Sequence, residues 1–530
     1  MPLNLIILGS TAEGDGYSLM YLFFVGAIAA VVSYPLTNYV GMLARRWGVV
    51  DRPDGHHKSH KQAVALGGGV AVFLAAAVTF AVEFLSSSKL QRVLNDEKPF
   101  LGALLIACVW IVCLGLYDDR FGMKGRYKLL GQVIAALIVI NSGLLIHAFK
   151  VMGYEIQLGI FCLPFTLFWL LGAVNSLNLL DGIDGLATTI GIILCATITL
   201  MAFLVGHEAV AIVGVIFVGS LIGFLRFNFP PATIYLGDAG SMLIGLVVGA
   251  LAIGGSFKST ATIGLAAPVA IWALPMFDSL AAILRRKLTG RSIYAVDRGH
   301  LHHRLMSKFG NNTAVIAVVA VCCIVTCAGA LLSDFMKNDF VAIASILVVF
   351  GILVVSQAFG HVEVRMLLSR IKSMFLSRGG THETSFQLQG SQEWDLLWQS
   401  IVEFAERMRL VNVKLDINWA SIQEGYHASW HRASSTERRE RWNIVIPLMS
   451  NQHVIGRLTV TGCPSPDIST CEAIDQFMDV LKPMETEIIA LAQDLGPKVA
   501  TIASEDHANS GEPDTSASAD SSPPSIVASG

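Results

Sequence analysis

The chain has little charge, and its cysteines lack the spacing of a disulfide or zinc framework. Only 15% of its 530 residues are charged and 53% are hydrophobic, which excludes a soluble globular protein of average composition. None of the nine cysteines belongs to a C-x-x-C pair, and no H-E-x-x-H motif occurs. We therefore expect the cysteines to be small buried apolar residues. Residues 1–17 contain no Lys or Arg, so we expect no cleavable signal peptide.

Long apolar segments take up most of the remaining sequence. A helix needs about 20 mostly apolar residues to cross a bilayer, and eleven segments meet this requirement. The fold class predicted for residues 18–360 is an all-α polytopic membrane protein of about eleven transmembrane helices. These helices are predicted over residues 18–41, 67–86, 100–117, 129–148, 160–180, 186–205, 209–227, 239–257, 262–284, 313–333 and 339–358.

The basic residues predict how these helices are oriented. Lys and Arg are concentrated in alternate loops, near residues 45–61, 120–128, 285–308 and 365–372, and the opposite loops contain few. Because basic loops stay on the cytoplasmic side, we expect the N-terminus outside the cell and the residues after 359 in the cytoplasm. An odd number of spans agrees with ends on opposite sides.

The last third of the chain has the pattern of a small cytoplasmic α/β domain. We interpret residues 361–391 as a linker, 392–495 as the domain and 496–530 as a disordered tail rich in Ser, Ala, Asp and Pro. The domain loosely resembles a GAF-type sensory or dimerisation fold through Ile446-Pro447-Leu448 and Val454–Leu458, without a catalytic or ligand signature. Its pattern predicts strands near 411–418, 442–448 and 453–461, and helices near 392–409 and 468–494.

Four polar motifs fall at the predicted cytoplasmic ends of different spans. Asp118-Asp119 follows the third span, Asn175–Asp184 ends the fifth, Asp238 begins the eighth, and His300–His303 follows the ninth. Ionisable groups at membrane depth are costly, so such groups are expected to have a function. We therefore expect the four motifs to line one site at the cytoplasmic face.

The Asn175–Asp184 segment combines amides and carboxylates. Asn175, Asn178 and Asp181 follow one another at intervals of three residues, which keeps them on one side of a helix with a drift of about 60° per step. Asp184 would turn away unless the helix ends at the glycines around it. This oxygen-rich set suits Mg²⁺, which usually accompanies phosphates. The structural alternative is a helix cap with amide hydrogen bonds between helices.

Each of the other motifs also has both a functional and a purely structural interpretation. Asp118-Asp119 is either a metal ligand or base, or a solvated carboxylate pair; Asp238 either seats a phosphate or caps a helix. The histidines at 300–303 either bind pyrophosphate or belong to an ordinary basic loop. Asp278 either lines the site or pairs with a basic neighbour. His56, His57 and His60 are equally open between phosphate binding and a solvated loop.

Five segments together carry a resemblance. They are Val50–Pro53 with Gly67–Gly69, Leu116–Asp119, Asn175–Leu186, Leu236–Ser241 and Asp297–His303. In combination they resemble the polyprenyl-phosphate N-acetylhexosamine-1-phosphate transferases of glycosyltransferase family 4, over residues 18–360. The His-Leu-His-His and Val-Asp-Arg-Pro forms are most similar to the undecaprenyl-phosphate N-acetylglucosamine-1-phosphate transferase branch.

The resemblance implies a reaction and its partners. A sugar-1-phosphate, GlcNAc-1-phosphate above all, would pass from a UDP-N-acetylhexosamine to undecaprenyl or another polyprenyl phosphate, releasing UMP. The cofactor would be Mg²⁺, with Mn²⁺ as the alternative. The enzyme would act in the bacterial inner membrane, as the first lipid-linked step of cell-envelope polysaccharide synthesis. No nucleic acid is implied, and a homodimer is left open.

The resemblance also implies roles for individual residues. Catalysis would involve Asp118, Asp119, Asp181 and Asp184; substrate binding would involve Asn175, Lys128, Arg298, His300, His302 and His303; and the metal would be held by Asn178, Asp181 and Asp238.

Two other classes of protein compete with this prediction. Tyr117-Asp118, Leu236–Asp238 and Ala273–Pro275 are similar to the motifs of intramembrane aspartyl proteases, but a protease would leave the amides and histidines unused. An ion-coupled transporter can use intramembrane carboxylates. Transport, however, needs polar groups near the membrane centre and usually internal repeats, whereas here the polar groups gather at one face.

Overall fold

The computed structural model divides into two compact units, Met1–Phe375 and Leu376–Gly530. In the first unit the structure describes residues 18–51, 63–87, 97–255, 262–264, 266–289 and 299–375, with single positions near 91–95. In the second it describes residues 376, 381–389, 394–408, 410–419, 424–432, 442–450 and 453–463, with three single positions near 472–479.

The first unit is mostly helical. Its helices are α1 (Leu19–Arg46), α2 (Gly68–Ser86), α3 (Lys98–Phe121), α4 (Gly125–Ile140), α5 (Cys162–Leu180), α6 (Leu186–Val205), α7 (Glu208–Asn228), α8 (Gly237–Gly254), α9 (Ala266–Leu288), α10 (Leu301–Phe309), α11 (Asn312–Met336), α12 (Asp339–Val355) and α13 (His361–Leu376).

Nine helices among the described residues are long and apolar enough to cross a membrane. They correspond to predicted spans one to three and five to ten. Helices α4 and α12 occupy the places of spans four and eleven but have 16 and 17 residues. At 1.5 Å per residue they are about 24 and 26 Å long, which is short of a hydrocarbon core of about 30 Å. The total of eleven spans therefore stays a prediction.

Short strands supplement the helices of this unit. Strands β1 (Val50–Asp51), β2 (Val64–Leu66) and β5 (Ile234–Tyr235) form one sheet, and β3 (Ala148–Val151), β4 (Tyr154–Gln157) and β6 (Thr262–Gly264) form another. The all-α prediction missed them because runs of two to four residues show no readable periodicity. Parallel pairing of β2 with β5 joins the chain just before α2 to the chain just before α8.

Helix α8 is the centre of the bundle. Every residue from Ala239 to Ile253 is buried, as expected for a helix that is apolar on all sides, and α2, α3, α5 and α6 pack around it. Two glycines allow the closest approaches. A Cβ at Gly69 of α2 would overlap the α8 backbone at Gly240, and a Cβ at Gly115 of α3 would overlap it at Ala239.

The second unit contains an antiparallel sheet and a helix. Strands β7 (Thr381–Gln389), β8 (Asn412–Trp419), β9 (Glu424–Arg432), β10 (Trp442–Ser450) and β11 (His453–Gly462) are ordered β10-β11-β8-β9-β7, and α14 (Trp394–Arg407) packs against them. Four tryptophans belong to this core: Trp394, Trp398, Trp419 and Trp430.

These elements confirm an α/β domain but differ from the sequence prediction in detail. The predicted strands correspond to β8, β10 and β11, whereas β7 and β9 were missed because polar residues such as His427 interrupt their apolar pattern. Residues 361–391, interpreted as a linker, include helix α13 and strand β7. The helix predicted near 468–494 and the tail 496–530 lie outside the described ranges, and the GAF-like fold stays a prediction.

The glycine contacts on α8 generate a stability prediction. Gly115→Ala should lower the thermal unfolding midpoint of the purified protein, because overpacking a tight contact costs about 1–3 kcal/mol. Gly102→Ala is the matched control on the same helix, since nothing lies within 4 Å of the added Cβ there. Equal midpoints for the two variants would contradict the proposed tight crossing of α3 and α8.

Candidate active site

Asp238, in the first turn of α8, is where the polar motifs meet. Asn178 at the end of α5 donates from Nδ2 to Asp238 Oδ1 at 2.5 Å and to Ser241 Oγ at 3.0 Å. Lys128 Nζ lies 2.8 Å from Asp238 Oδ2. The Asp238 side chain is still 31% exposed, so a ligand can reach it.

Lys128 joins two carboxylates. Its ammonium also lies 2.9 Å from Asp118 Oδ2, and Asp118 Oδ1 accepts a hydrogen bond from the Met123 N–H at 2.6 Å. Attraction to one ammonium offsets the repulsion between the carboxylates of Asp118 and Asp238. The three residues connect the end of α3 with the beginnings of α4 and α8. These helix ends are predicted to lie on the cytoplasmic side.

Asp119 has a different environment from its neighbour. Its carboxylate accepts from the N–H groups of Asp238 at 2.8 Å and Ala239 at 3.3 Å. These donors belong to the first turn of α8, where the helix leaves N–H groups unpaired and the helix dipole is positive. Both oxygens of Asp119 are thus engaged in capping this helix end, and the catalytic role expected for it beside Asp118 stays a prediction.

Asp181 and Asp184 follow the end of α5, and their carboxylates have different surroundings. Asp184 Oδ2 accepts from the Ala232 N–H at 3.0 Å, which braces the segment before β5, and the catalytic role expected for Asp184 stays a prediction. No hydrogen bond or ion pair of the Asp181 carboxylate is found within the described part of the chain. Burial and the nearby carboxylates of Asp238, Asp119 and Asp184 raise the pKa of Asp181 well above its usual range.

This donor set is compatible with Mg²⁺. Among the described residues, no three acidic, histidine or cysteine side chains are already arranged as metal ligands. Magnesium, however, is commonly bound through one or two carboxylates together with water and substrate phosphates. The carboxylates of Asp181 and Asp238 and the amide oxygen of Asn178 provide hard oxygen ligands of that kind.

Asn175 points to a neighbouring helix. Its Nδ2 donates to Gln132 Oε1 and to Leu171 O, both at 2.8 Å, and Gln132 is buried on α4 with its Nε2 3.3 Å from Met242 Sδ. Asn175 therefore makes the amide hydrogen bond between helices that the structural alternative expects, and its expected role in substrate binding stays a prediction. Gln132 was missed, although it lies one helical turn after Lys128 on the same face.

The histidines are positioned by Asp278 of α9. Asp278 is fully buried; its Oδ2 lies 2.9 Å from His300 Nδ1, and its Oδ1 accepts from the Leu301 N–H at 2.7 Å. One carboxylate thus orients His300 and caps α10. Of the two alternatives for Asp278, pairing with a basic neighbour is what the structure contains.

Helix α10 brings His302 to the Asp181 turn. A Cβ at Gly182 would overlap the His302 ring, so the ring packs directly on that glycine. Burial, and then the adjacent His303 ring, lower the pKa of His302 to about 3. His302 is therefore neutral near pH 7, and its Nδ1 has no hydrogen-bond partner within the described residues. The fourth motif thus joins the other three.

Buried ion pairs anchor this end of the unit. The Arg285 guanidinium of α9 pairs with Glu363 of α13, and Arg304 Nη2 of α10 lies 3.5 Å from the same carboxylate. Arg285, which begins the basic region near residues 285–308, is thus buried against Glu363. Arg298, expected to bind substrate, and the loop containing His56, His57 and His60 lie outside the described ranges.

Comparison with known proteins identifies the family. Residues 101–256 match the model of glycosyl transferase family 4. The chain is 31% identical over 291 residues to the probable undecaprenyl-phosphate N-acetylglucosaminyl 1-phosphate transferase of Bacillus subtilis, covering 54% of this chain and 77% of that protein. It is 32% identical over 342 residues to the decaprenyl-phosphate N-acetylglucosaminephosphotransferase of Mycobacterium tuberculosis, covering 59% and 82%.

A more distant branch is also similar. The phospho-N-acetylmuramoyl-pentapeptide-transferase of Clostridium kluyveri is 27% identical over 327 residues, covering 59% of this chain and 96% of that protein. The chain belongs to glycosyl transferase family 4, as a multi-pass membrane transferase of the polyprenyl-phosphate hexosamine-1-phosphate group. This membership confirms the resemblance and decides against the transporter and protease alternatives.

Substitutions of the adjacent aspartates Asp118 and Asp119 should differ in their effect on thermal stability. Asp118→Asn should reduce transferase activity about tenfold or more, because Lys128 loses a charged partner that holds it in the site. Its thermal midpoint should change little, because the lost attraction to Lys128 is offset by the lost repulsion with Asp238. Asp119→Asn should lower the thermal midpoint as well, because one amide oxygen cannot accept from both α8 N–H groups and a lost cap costs about 0.5–2 kcal/mol. Identical midpoints for the two variants would contradict the capping role.

Asp278 should act through the position of His300. Asp278→Asn keeps an acceptor for the Leu301 N–H but loses the charge opposite His300, so we expect KM for the sugar-phosphate donor to rise about tenfold with kcat and thermal midpoint little changed. Ser279→Ala is the control, because that hydroxyl donates to Pro275 O at 3.2 Å within α9. A fall in kcat alone would argue against a positioning role.

Proposed function

We propose that this protein transfers GlcNAc-1-phosphate from UDP-GlcNAc to undecaprenyl phosphate, with release of UMP, at the cytoplasmic face of the membrane. The observation that carries the proposal is the convergence of Asp118, Lys128, Asn178, Asp181 and Asp238 at the N-terminus of α8. Such a site combines carboxylates for a hard cation with an ammonium and a helix N-terminus for phosphate.

The chemistry joins two anions, so neutralising charge matters more than removing a proton. An oxygen of the lipid phosphate bonds to the sugar-linked phosphorus, the bond from that phosphorus to the bridging oxygen breaks, and UMP leaves with the electron pair. A phosphate monoester is already largely ionised near pH 7, so no strong base is required. Catalysis then rests on in-line positioning and on electrostatic stabilisation.

Different residues would bind the lipid phosphate, the metal and the nucleotide-sugar donor. Lys128, held between Asp118 and Asp238, would orient an ammonium toward the lipid phosphate. Asp181, Asp238 and the Asn178 amide oxygen would hold Mg²⁺, which when bound supplies positive charge to the donor pyrophosphate. The neutral ring of His302 and its neighbours His300 and His303 would donate hydrogen bonds to the donor at the edge of α10.

GlcNAc as the sugar is supported by the relatives. Two relatives that are 31% and 32% identical over 291 and 342 residues have N-acetylglucosamine in their names, whereas muramoyl-pentapeptide relatives are 27% identical over 327 residues or 31% identical over a shorter match of 232. The distribution of basic residues supports an outside N-terminus and a cytoplasmic second unit. We place the reaction at the start of cell-envelope polysaccharide synthesis, with a homodimer as an open alternative.

The direct test is turnover by the purified full-length protein. With undecaprenyl phosphate, radiolabelled UDP-GlcNAc and Mg²⁺, we expect UMP release and a labelled lipid pyrophosphate, both abolished by EDTA. Asp238→Asn should lower kcat about 100-fold, the scale on which electrostatic groups contribute to catalysis. Asp334→Asn is the matched control, because that carboxylate is exposed on α11 and pairs with Lys337.

A donor comparison tests the sugar. UDP-GalNAc and UDP-MurNAc-pentapeptide assayed beside UDP-GlcNAc should give lower kcat/KM. Faster turnover of either would overturn the GlcNAc assignment but keep the reaction class. Absence of UMP release with all three donors would overturn the reaction itself.

A further inference from the structure

An apolar cavity of about 460 Å³ lies between α2 and α3, away from the polar cluster. Helices α7 and α8 form its inner wall, and its volume is in the range of small-molecule pockets. Among the described residues its lining is apolar apart from one lysine, and it includes Ala77, Ala81, Phe84, Gly102, Leu105 and Lys98.

The cavity results from the way α2 and α3 pack. The two helices are held close to α8 at one end, where Gly69 and Gly115 contact its backbone. Beyond these glycines they separate, and the small residues Ala76, Ala77 and Gly102 line the gap together with larger apolar side chains. The glycine contacts therefore lie between the cavity and Asp238, and they close its inner end.

The cavity belongs to a surface that fits a membrane. Apolar side chains beside it are exposed on both helices, with Val78 and Val82 on α2 at 42% and 49%, and Ile106 and Val109 on α3 at 59% and 45%. Exposed apolar faces of this kind on a multi-pass membrane protein are in contact with lipid chains. A hydrocarbon chain can thus enter the gap from the side.

Lys98 provides a positive charge at the cavity, which favours a ligand with an anionic group. It is the first residue of α3, lines the cavity at the end away from Asp238, and is exposed. Within the described residues no ion pair of Lys98 is found. A lysine at a membrane border places its ammonium at the level of the lipid head groups.

We propose that this cavity binds one acyl chain of an anionic phospholipid, whose phosphate pairs with Lys98. The occupant is a structural phospholipid and not the polyprenyl substrate, because the substrate's phosphate must reach Lys128 on the other side of the glycine contacts. The site is therefore independent of the transfer reaction.

The test measures phospholipid binding to the delipidated full-length protein in detergent, by native mass spectrometry and thermal midpoint. Dioleoylphosphatidylglycerol should bind saturably and raise the midpoint. Lys98→Gln should weaken that binding at least fivefold, and Gly102→Phe, which places a ring in the gap where a Cβ meets nothing, should abolish it. Lys337→Gln is the matched control, since Lys337 is also exposed at a helix end but lines no part of this cavity.

Two outcomes would overturn the proposal. One is unchanged phosphatidylglycerol binding in both Lys98→Gln and Gly102→Phe. The other is displacement of phosphatidylglycerol by equimolar undecaprenyl phosphate, which would make the cavity part of the substrate site. Dioleoylglycerol, which lacks the phosphate, should bind the unmodified protein more weakly than phosphatidylglycerol does. To the Lys98→Gln variant the two lipids should bind with equal affinity. Because no turnover is measured, failure here leaves the proposed transfer reaction unaffected.

Discussion

The site depends on keeping carboxylates close together at the N-terminus of a buried helix. Asp118, Asp119, Asp181 and Asp238 approach one another there, and Lys128 is the ammonium in direct contact with two of them. Repulsion of this kind is relieved by nearby positive charge and by protonation of one carboxylate, which the raised pKa of Asp181 favours. The unpaired N–H groups of α8 supply some of that charge through Asp119. A divalent cation would offset the negative charge that remains.

Tight backbone packing makes that arrangement possible. The N-terminus of α8 can accept carboxylates from α3 only because Gly115 lets the two backbones meet. The same glycine contacts separate the polar cluster from the apolar gap between α2 and α3. One packing feature thus separates the polar cluster at one end of the bundle from the apolar cavity at the other.

Much of the site was predictable because membrane depth makes polar residues conspicuous. Asp118, Asn178, Asp181, Asp238 and the histidines stand out against an apolar background, and the positive-inside rule predicts a common face for them. The sequence pattern could not show which partner each of these side chains contacts. Asp118 and Asp119 are identical neighbours in sequence, yet one contacts Lys128 and the other caps α8. Asn175 and Asn178 are one turn apart, yet only Asn178 reaches Asp238.

The sequence by itself determined the class of fold, nearly all helix positions and the family, because hydrophobic length and motif combinations are local or additive properties. Only the tertiary structure decided which polar groups touch. Asp278 gained its partners His300 and Leu301 from a different helix, and His302 met Gly182 across 120 residues of chain. Such contacts depend on how helices cross and rotate, which small residues and packing set jointly and which no single segment encodes.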